Sequence, residues 1–419
     1  MQGKNNMKIV LVLGTGAQGS AVARLLEKEP KVKKIICADY DMKAAEILSK
    51  DLSKAVAVQV NAKNVKDIVR IGQGVDIIVN GLPINFNMTV MNAALELKAN
   101  YQDLCMTVID GKDGVDSTRY MFTEMDKKFR EAGVLAITNT GSAPGLANVL
   151  VREISEMFDS VDSIEMNVYE GVWSKKFIPF WWSPDVAFED MGETPIQFHN
   201  GKYIRTEVFG NPVMMKFPGI DKEIRMVDHN HEEPITMGIN SETCLKGAKN
   251  ILFRYGGPHV ELSQALFNMG FLSKEEREYK GVKYTPFDLV IDHAPDAPKY
   301  KEEIEEIIKE GLITEEGAFQ VLVKGEKDGK AMTVTAYVNS PGLIEAFKKA
   351  GISHEAYLTG QSAFIFTKMM LEDSVSQKGC IAPEVLDSKA RQFFFDEAAK
   401  LGITFDKEVK MQDFASQRG

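Results

Sequence analysis

A glycine-rich turn near the start of the chain constrains its fold more than any other feature. It follows an apolar run at 9–13 and consists of Gly14, Thr15, Gly16, Ala17, Gln18 and Gly19. A helical pattern at 20–29 comes next, and a second apolar run at 32–38 ends in Asp39. This order of strand, turn, helix, strand and acid is typical of dinucleotide-binding sheets. The sequence therefore predicts an α/β fold with a parallel sheet of the Rossmann type.

Each glycine of the turn has its own predicted role. Gly14 permits the tight turn, Gly16 lets the backbone approach a pyrophosphate, and Gly19 allows close contact between helix and strand. The N-terminus of the helix then offers unpaired N–H groups to the anion. The alternative is a glycine turn in a sheet that binds no cofactor.

The acid after the second strand predicts which cofactor is bound. Asp39 is placed to accept hydrogen bonds from an adenosine ribose. We expect Tyr40, the next residue, to contact the cofactor as well. Asp39 and Asp41 together would repel the 2′-phosphate of NADP, and no arginine follows within the next few residues. We therefore expect NAD, with NADP as the alternative.

The length and charge of the chain limit its organisation and its partners. A chain of 419 residues is too long for one ordinary core and predicts two domains. A net charge of −10 without a basic tract argues against nucleic acid or an anionic membrane surface as the main partner. No apolar stretch approaches the roughly 18 residues that cross a bilayer, so we expect a cytoplasmic protein. Four widely spaced cysteines predict free thiols.

The alternation of strands and helices continues to about residue 145 and then stops. Residues 7–145 are therefore assigned to the dinucleotide-binding domain. Residues 146–338 are richer in isolated strands, aromatics and turns, which predicts a second, α+β domain with a mixed or antiparallel sheet. Residues 339–419 return to amphipathic helices, including one at 357–371.

The strand ends of the first domain supply further candidates for the cofactor site. In an open parallel sheet, the carboxyl ends of the strands border the crevice that holds the cofactor. We therefore expect the crevice to be lined by the residues that end the strand at 75–79, namely Asn80, Gly81, Leu82 and Pro83. The alternative is an ordinary loop that contains a turn proline.

Several segments resemble the saccharopine dehydrogenase family, which includes glutamate-forming saccharopine reductases, lysine 6-dehydrogenases and carboxynorspermidine dehydrogenases. The resemblance begins at the glycine-rich turn and continues through both predicted domains. The matching segments are 79–83, 101–104, 142–145, 179–184, 200–202, 231–236, 253–259 and 269–273. One residue more than in the family pattern separates Tyr255 from His259. The 324–330 hairpin is similar to that of the lysine 6-dehydrogenases.

The resemblance implies a function and an assembly. It implies hydride transfer at a C–N bond of a small amino acid or secondary amine of the saccharopine or lysine type, in a cleft between the domains. It also implies that the helices after about Asn339 return to the dinucleotide-binding domain, and that a homodimer forms through the second domain. An imine reductase of the carboxynorspermidine dehydrogenase type is the alternative enzyme. A non-catalytic dinucleotide sensor is the alternative from another class.

Hydride transfer at a C–N bond requires a group that moves a proton at nitrogen. Asp103 and Tyr101, at a predicted strand end, are candidates, although a strand-end aspartate often caps the next turn. His231 with Glu232 or Glu233 is the best acid–base group in the second half, because histidine titrates near neutrality. A solvated loop is the alternative for this segment.

The substrate also needs groups that bind its charges and exclude water. Arg254 is the expected clamp for a carboxylate, with Arg225 as a weaker candidate and a structural salt bridge as the alternative. Trp182, and less strongly Trp173, are candidates for a pocket wall, although aromatics more often fill a core. His229 and His231 form a conceivable metal pair, but four clear ligands are lacking and we expect no metal.

Overall fold

The computed structural model describes residues 7–412, which divide into two compact units. The first unit contains the described residues up to Glu153 together with Ala356–Ile403. The second unit contains Ile154–Glu355 together with the described residues from Thr404 onward. None of the helices between residues 7 and 412 has the length and apolar character needed to span a bilayer.

Strands and helices alternate in the N-terminal part of the first unit, as the sequence predicts. In chain order they are β1 (Lys8–Leu13), α1 (Ala17–Leu26), β2 (Val32–Asp39), α2 (Met42–Lys50), β3 (Ala55–Gln59), α3 (Val65–Ile71), β4 (Ile77–Asn80), α4 (Asn87–Leu97), β5 (Asn100–Asp103), α5 (Gly114–Tyr120), α6 (Asp126–Ala132), β6 (Leu135–Ile137) and α7 (Leu146–Ser155). Helices α2 and α3 begin where the side chains of Asp41 and Asn64 accept hydrogen bonds from backbone N–H groups of the first turn.

The second unit begins with a long strand and is richer in sheet. Its elements are β7 (Ser160–Ser174), α8 (Pro184–Gly192), β8 (Ile196–His199), β9 (Lys202–Arg205), β10 (Val213–Met215), β11 (Ile224–Asp228), α9 (Glu233–Ile239), α10 (Ser241–Cys244), β12 (Asn250–Gly256), α11 (Pro258–Asn268), β13 (Arg277–Tyr279), β14 (Val282–Tyr284), α12 (Pro286–His293), α13 (Lys301–Glu310), β15 (Leu312–Lys327), β16 (Lys330–Asn339) and α14 (Leu343–Ala350).

The C-terminal part of the chain contains two strands that the sequence did not predict. Its elements are α15 (His354–Leu371), β17 (Gly379–Ile381), α16 (Ser388–Lys400) and β18 (Thr404–Gln412). The expectation of helices alone after residue 339 is therefore wrong. Strand β17 has only three residues, and β18 is mostly exposed and charged, so neither has the apolar alternation that indicates a strand.

Seven of the described strands form a parallel sheet in the first unit, in the order β3–β2–β1–β4–β5–β6–β17. The chain places successive strands on opposite sides of β1, so the sheet has its switch point between β1 and β4. Ligands bind at such switch points, outside the carboxyl ends of the strands. Val10 to Leu13 are fully buried because both faces of the sheet are covered. The predicted Rossmann-type sheet is confirmed.

Nine of the described strands form a mixed sheet in the second unit. Its main path is β10–β11–β12–β7–β15–β16–β18, and β8 and β9 extend from β12. Strands β12 and β7 run parallel, whereas the other neighbours on the main path run antiparallel. The predicted second domain with a mixed sheet is therefore confirmed in its fold class.

The limits of the two units differ from the boundaries at 145 and 339 that the sequence suggests. Leu343 of α14 shares an apolar cluster with Trp181 and Ile304 of the second unit. Strand β18 pairs along its length with β16 at the edge of the mixed sheet. Apolar packing and strand pairing therefore keep residues 339–355 and the described residues after 403 in the second unit.

Candidate active site

The glycine-rich turn leaves open space where a dinucleotide would approach. Gly14 has φ +83°, and a Cβ atom there would lie 2.9 Å from the carbonyl oxygen of Gly81. A Cβ atom on Gly19 would lie 1.9 Å from the carbonyl oxygen of Gly14, so the helix packs directly on the turn. A Cβ atom on Gly16 would meet nothing within 4 Å. Gly16 therefore borders free space at the N-terminus of α1, which fits a pyrophosphate.

The carboxylate of Asp39 is held by the same turn. Oδ2 of Asp39 accepts hydrogen bonds from the backbone N–H of Thr15 at 2.7 Å and from the Thr15 hydroxyl at 2.9 Å. Its Oδ1 accepts one from the N–H of Asp41 at 3.0 Å. Tyr40, between the two acids, is 76% exposed. The acid is thus fixed at the end of β2, where the adenosine ribose of a dinucleotide lies in this fold.

The residues that follow β4 divide into an internal and an external set. Asn80 is fully buried and donates hydrogen bonds to Asn87 Oδ1 at 2.8 Å and to the hydroxyl of Tyr101 at 3.2 Å. Gly81 and Leu82 are half-buried and Pro83 is exposed, next to the glycine turn. The side chain of Asn80 is therefore used within the unit, while the three residues after it border open space.

Tyr101 and Asp103 form a buried link between strand ends. The Tyr101 hydroxyl donates to Asp103 Oδ2 at 3.0 Å, and Asp103 Oδ1 accepts from the N–H of Asn139 at 2.7 Å. Neither side chain is exposed, and burial raises the pKa of Tyr101 well above its usual value. This geometry fits a structural link between β5 and the turn after β6. A catalytic role for the pair stays a prediction.

The second unit contains a buried carboxylate with three polar partners, which we call the Glu170 centre. Glu170, on β7, accepts a hydrogen bond from the Tyr255 hydroxyl at 2.6 Å and lies 3.0 Å from Nε2 of His354. Nε2 of His259 lies 3.7 Å from Oε2 of Glu170, the oxygen that Tyr255 binds, whereas His354 contacts Oε1. All four side chains are buried or nearly so. A carboxylate and two imidazoles this close can bind a cationic group and move a proton.

The fold explains how these residues meet. Strands β7 and β12 pair in parallel with Tyr255 opposite Val168, so Tyr255 and Glu170 lie on the same face of the sheet. Gly257 then turns the chain with φ +134°, and a Cβ atom there would lie 2.1 Å from the carbonyl oxygen of Glu170. Helix α11 starts at the next residue and carries His259 in its first turn.

Aromatic rings surround the imidazole of His259. The ring centroids of Phe180, Trp173 and Trp182 lie 5.2, 5.9 and 6.3 Å from that of His259. Trp182 also lies 6.3 Å from the ring of Tyr255. These contacts place both predicted wall residues, Trp182 and Trp173, beside the Glu170 centre. Aromatic faces attract cations and exclude water.

The groups of the Glu170 centre have defined charges near neutral pH. Burial raises the pKa of Glu170, but His259, His354 and the hydrogen bond from Tyr255 outweigh it and hold this pKa below its usual range. Burial lowers the pKa of His259, which outweighs the opposing effects of Glu170 and the backbone of Pro179. Glu170 is therefore ionised and His259 neutral.

His231 belongs to a second polar cluster. Its Nδ1 contacts Oε2 of Glu233 and lies 3.5 Å from Oε2 of Glu232, and its ring stacks on Phe253 at 3.9 Å. Burial alone would lower the pKa of His231, but Glu233 and Glu232 raise it to about 9. His231 is therefore a cation at neutral pH, which suits a proton donor better than a proton acceptor, and its predicted acid–base role stays a prediction.

The neighbouring His229 behaves in the opposite way. It is buried 5.7 Å from the ring of His231, and burial together with that cation lowers its pKa to about 3. Ligand atoms of His231, Glu232 and Glu233 lie within 4.8 Å of one another, a spacing that could hold a metal ion. A metal ligand must be deprotonated, and the raised pKa of His231 opposes this.

Arg254 is held in a salt bridge rather than presented to a substrate at the Glu170 centre. Its Nη1 donates to Oε2 of Glu165 at 2.8 Å, and its Nε lies 3.7 Å from Oδ1 of Asp228. Because side chains alternate along a strand, Arg254 lies on the opposite face of the sheet from Tyr255. The clamp prediction is therefore not supported at this centre. Arg225 is paired with Glu261 at 3.1 Å.

The sequence predicts none of the four residues of the Glu170 centre as site residues. Glu170 lies in a strand without a motif, and His354 begins a helix almost two hundred residues later. Tyr255 and His259 both lie in the segment 253–259, which resembles a segment of the saccharopine dehydrogenase family. The one local signal in the sequence is a tyrosine on a strand, Tyr255, followed closely by a histidine at the start of a helix, His259.

The fold and the two sites define the class of protein. A glycine turn that fits a pyrophosphate and a fixed acid at the ribose position are features of a dinucleotide-binding protein. Residues 10–137 match the saccharopine dehydrogenase NADP binding domain, and residues 141–403 match the saccharopine dehydrogenase C-terminal domain. The chain belongs to the saccharopine dehydrogenase family, as the sequence resemblance indicates.

Individual relatives are distant but cover most of the chain. The carboxynorspermidine synthase of Vibrio cholerae is 24% identical over 85% of this chain and 84% of its own length. The carboxyaminopropylagmatine dehydrogenase of Synechocystis is 22% identical over 96% of this chain and 98% of its own. The structure of the glutamate-forming saccharopine dehydrogenase of Saccharomyces cerevisiae has a TM-score of 0.67 and 16% identity, covering 96% of this chain and all of that one. This last likeness shows the fold alone.

Proposed function

We propose that the protein reduces the imine formed between a diamine and an amino-acid aldehyde, yielding a carboxylated polyamine. The names of the two relatives, a carboxynorspermidine synthase and a carboxyaminopropylagmatine dehydrogenase, support this substrate class. The observation that carries the proposal is the ionised Glu170, buried among Tyr255, two histidines and aromatic rings. Such a site favours a cationic nitrogen over a neutral or anionic group.

The residues of the Glu170 centre have complementary tasks in this reaction. Reduced NAD(P) supplies the hydride that the carbon of the C=N bond accepts. The Glu170 carboxylate favours the protonated form of the C=N group, whose carbon accepts a hydride more readily than that of a neutral imine. Reduction also consumes one proton, which His259 relays from solvent to the substrate nitrogen, and His354 and Tyr255 hold Glu170 in place. Trp182 and Phe180 exclude water and contact the cation.

The cofactor is held by the first unit. Backbone N–H groups at the N-terminus of α1 bind the pyrophosphate, and Asp39 binds the ribose hydroxyl groups. Because Asp39 and Asp41 would repel a 2′-phosphate, the proposed preference is NAD over NADP. Comparison of the Michaelis constants for the two cofactors tests this preference, which is wrong if NADP has the lower constant.

Oxidation of a saccharopine- or lysine-type amine is the second candidate function. It uses the same C–N bond and the same residues in the opposite direction. The neutral state of His259 favours it in one respect, because a neutral imidazole can accept the proton that leaves nitrogen.

A substrate panel separates these functions. Absorbance of the reduced nicotinamide is followed with NADH or NADPH and an amino-acid aldehyde, with and without 1,3-diaminopropane or 1,4-diaminobutane. Saccharopine, lysine and ornithine are tested with the oxidised cofactors. We expect oxidation of the reduced cofactor only when aldehyde and diamine are both present. Turnover with saccharopine or lysine alone would overturn the proposal in favour of the second candidate, and cofactor binding without turnover would favour a sensor.

The assembly and location of the protein stay predictions. A homodimer formed through the second unit follows from the sequence resemblance, and light scattering of the purified protein tests it. The cytoplasmic location expected from the sequence is a prediction of the same kind.

A further inference from the structure

A second group of acids lies near His231 on the same face of the mixed sheet as the Glu170 centre. Phe253, which stacks on His231, and Tyr255, which binds Glu170, are two residues apart on β12 and so share a face. Asp190 and Glu193 interact electrostatically with Glu232, and Asn230 binds Glu193 at 2.8 Å. We call His231 and its four surrounding acids, Asp190, Glu193, Glu232 and Glu233, the His231 cluster.

The cluster places four acidic side chains around one cationic imidazole. Glu233 has no exposed surface, and its Oε1 has no hydrogen-bond partner among the described residues. Burial and the nearby Glu232 raise the pKa of Asp190 well above its usual value. Burial and Glu189 also raise the pKa of Glu193, although Lys274 and Arg205 act in the opposite direction. A bound cation would reduce the repulsion between these carboxylates and would bind Oε1 of Glu233.

Helix α8 connects the cluster to the Glu170 centre. It starts at Pro184, two residues after Trp182, whose ring lies against His259 and Tyr255. Asp190 lies near its other end, about 9 Å further along the helix axis at a rise of 1.5 Å per residue. Helix α8 thus runs from the aromatic residues beside the Glu170 centre to an acid of the His231 cluster.

We propose that the His231 cluster binds the distal ammonium group of a diamine-derived substrate whose reacting nitrogen lies at the Glu170 centre. The inference rests on the proposed function and adds a second contact that selects diamines over monoamines. An organic cation fits better than a metal ion, because Glu233 already engages Nδ1 of His231 and metal ligands must be deprotonated. Asp190 and Glu232 are the acids with which the ammonium group pairs.

Amine selectivity tests the subsite during turnover. Imines of one amino-acid aldehyde with 1,4-diaminobutane and with 1-aminobutane are compared by kcat/KM. The wild type is expected to prefer the diamine by about tenfold or more, the usual effect of one desolvated charge pair. The variant Asp190→Asn/Glu232→Gln should lose this preference, whereas the exposed control Glu242→Gln should keep it. Equal use of both amines by the wild type, or an unchanged ratio in the double variant, would overturn the subsite even if the proposed function holds.

Binding without turnover keeps the test independent of the reaction. Calorimetric titration of the cofactor-loaded enzyme with the same two amines should show tighter binding of the diamine by about tenfold, lost in the double variant. Equal binding of both amines would overturn the proposal.

Titration with Mn²⁺ or Zn²⁺ is a third experiment. Stoichiometric metal binding that disappears in His231→Ala would replace the ammonium subsite with a metal site. Absence of imine turnover combined with selective diamine binding would reject the proposed function and retain the subsite.

Discussion

At the scale of single residues, the second unit stabilises charge in two buried places. Glu170 stays ionised because two imidazoles and a tyrosine hydroxyl surround it, and His231 stays protonated because carboxylates surround it. His229 is buried beside the cationic His231, and both effects lower its pKa to about 3. Neighbouring charges therefore outweigh burial at Glu170 and His231, whereas burial is the largest effect at His229.

The charge on His231 predicts a pH dependence of stability. Its pKa rises from 6.5 to about 9 on folding, so its contribution is complete below pH 6.5 and is lost as pH rises through 9. The free energy of unfolding should fall by up to about 3 kcal/mol over this range. Urea denaturation at pH 6 to 9.5 measures the fall, which should be absent in His231→Gln. An equal fall in wild type and variant would contradict the assignment, and the exposed His293→Gln serves as control.

We predict that substitution of Arg254 lowers the stability of the protein and leaves its affinity for substrate nearly unchanged. Its guanidinium pairs with Glu165 while both side chains are largely buried. Arg254→Ala should lower the free energy of unfolding by about 2 to 4 kcal/mol, because the partner carboxylate loses a buried contact. The Michaelis constant for the amine should stay within about twofold, since the side chain lies on the other face of the sheet. A large rise in this constant with unchanged stability would restore the carboxylate clamp.

At the scale of elements, two short turns that contain glycine place the helices that follow them at the two proposed binding sites. The turn from β1 to α1 combines a positive φ at Gly14, a close contact at Gly19 and open space at Gly16. The turn from β12 to α11 uses Gly257 to bring the chain against β7 and to start a helix at His259. In both turns the absence of a Cβ atom allows a backbone approach that no other residue permits.

The glycine turn predicts different outcomes for two similar substitutions. Gly16→Ala adds a methyl group to open space, so the melting temperature should not change while the Kd for NAD rises about tenfold or more. Gly19→Ala places a methyl group against the carbonyl oxygen of Gly14, so it should cost about 2 to 3 kcal/mol of stability. Thermal melting and cofactor titration measure both effects. Equal destabilisation by the two variants would contradict the assigned geometry.

At the scale of the whole molecule, the sequence predicts the first unit better than the second. Apolar runs, glycines and strand-end acids are local signals, and they identify the parallel sheet and its turn. The Glu170 centre combines residues from β7, β12, α11 and α15, and only pairing in the folded sheet brings them together. Strand β18 was missed for a related reason, because its charged, exposed residues gain their strand conformation from pairing with β16.

The most direct test of the central claim is the kcat/KM of Glu170→Gln for the diamine-derived imine, measured by absorbance of the reduced nicotinamide. Loss of the carboxylate should lower kcat/KM by about a hundredfold or more, the usual effect of removing a group that stabilises transition-state charge. The Kd for the cofactor should not change, and the matched control Asp162→Asn, an exposed acid on the same strand, should keep full activity. Full activity in Glu170→Gln would contradict the assignment of the active site.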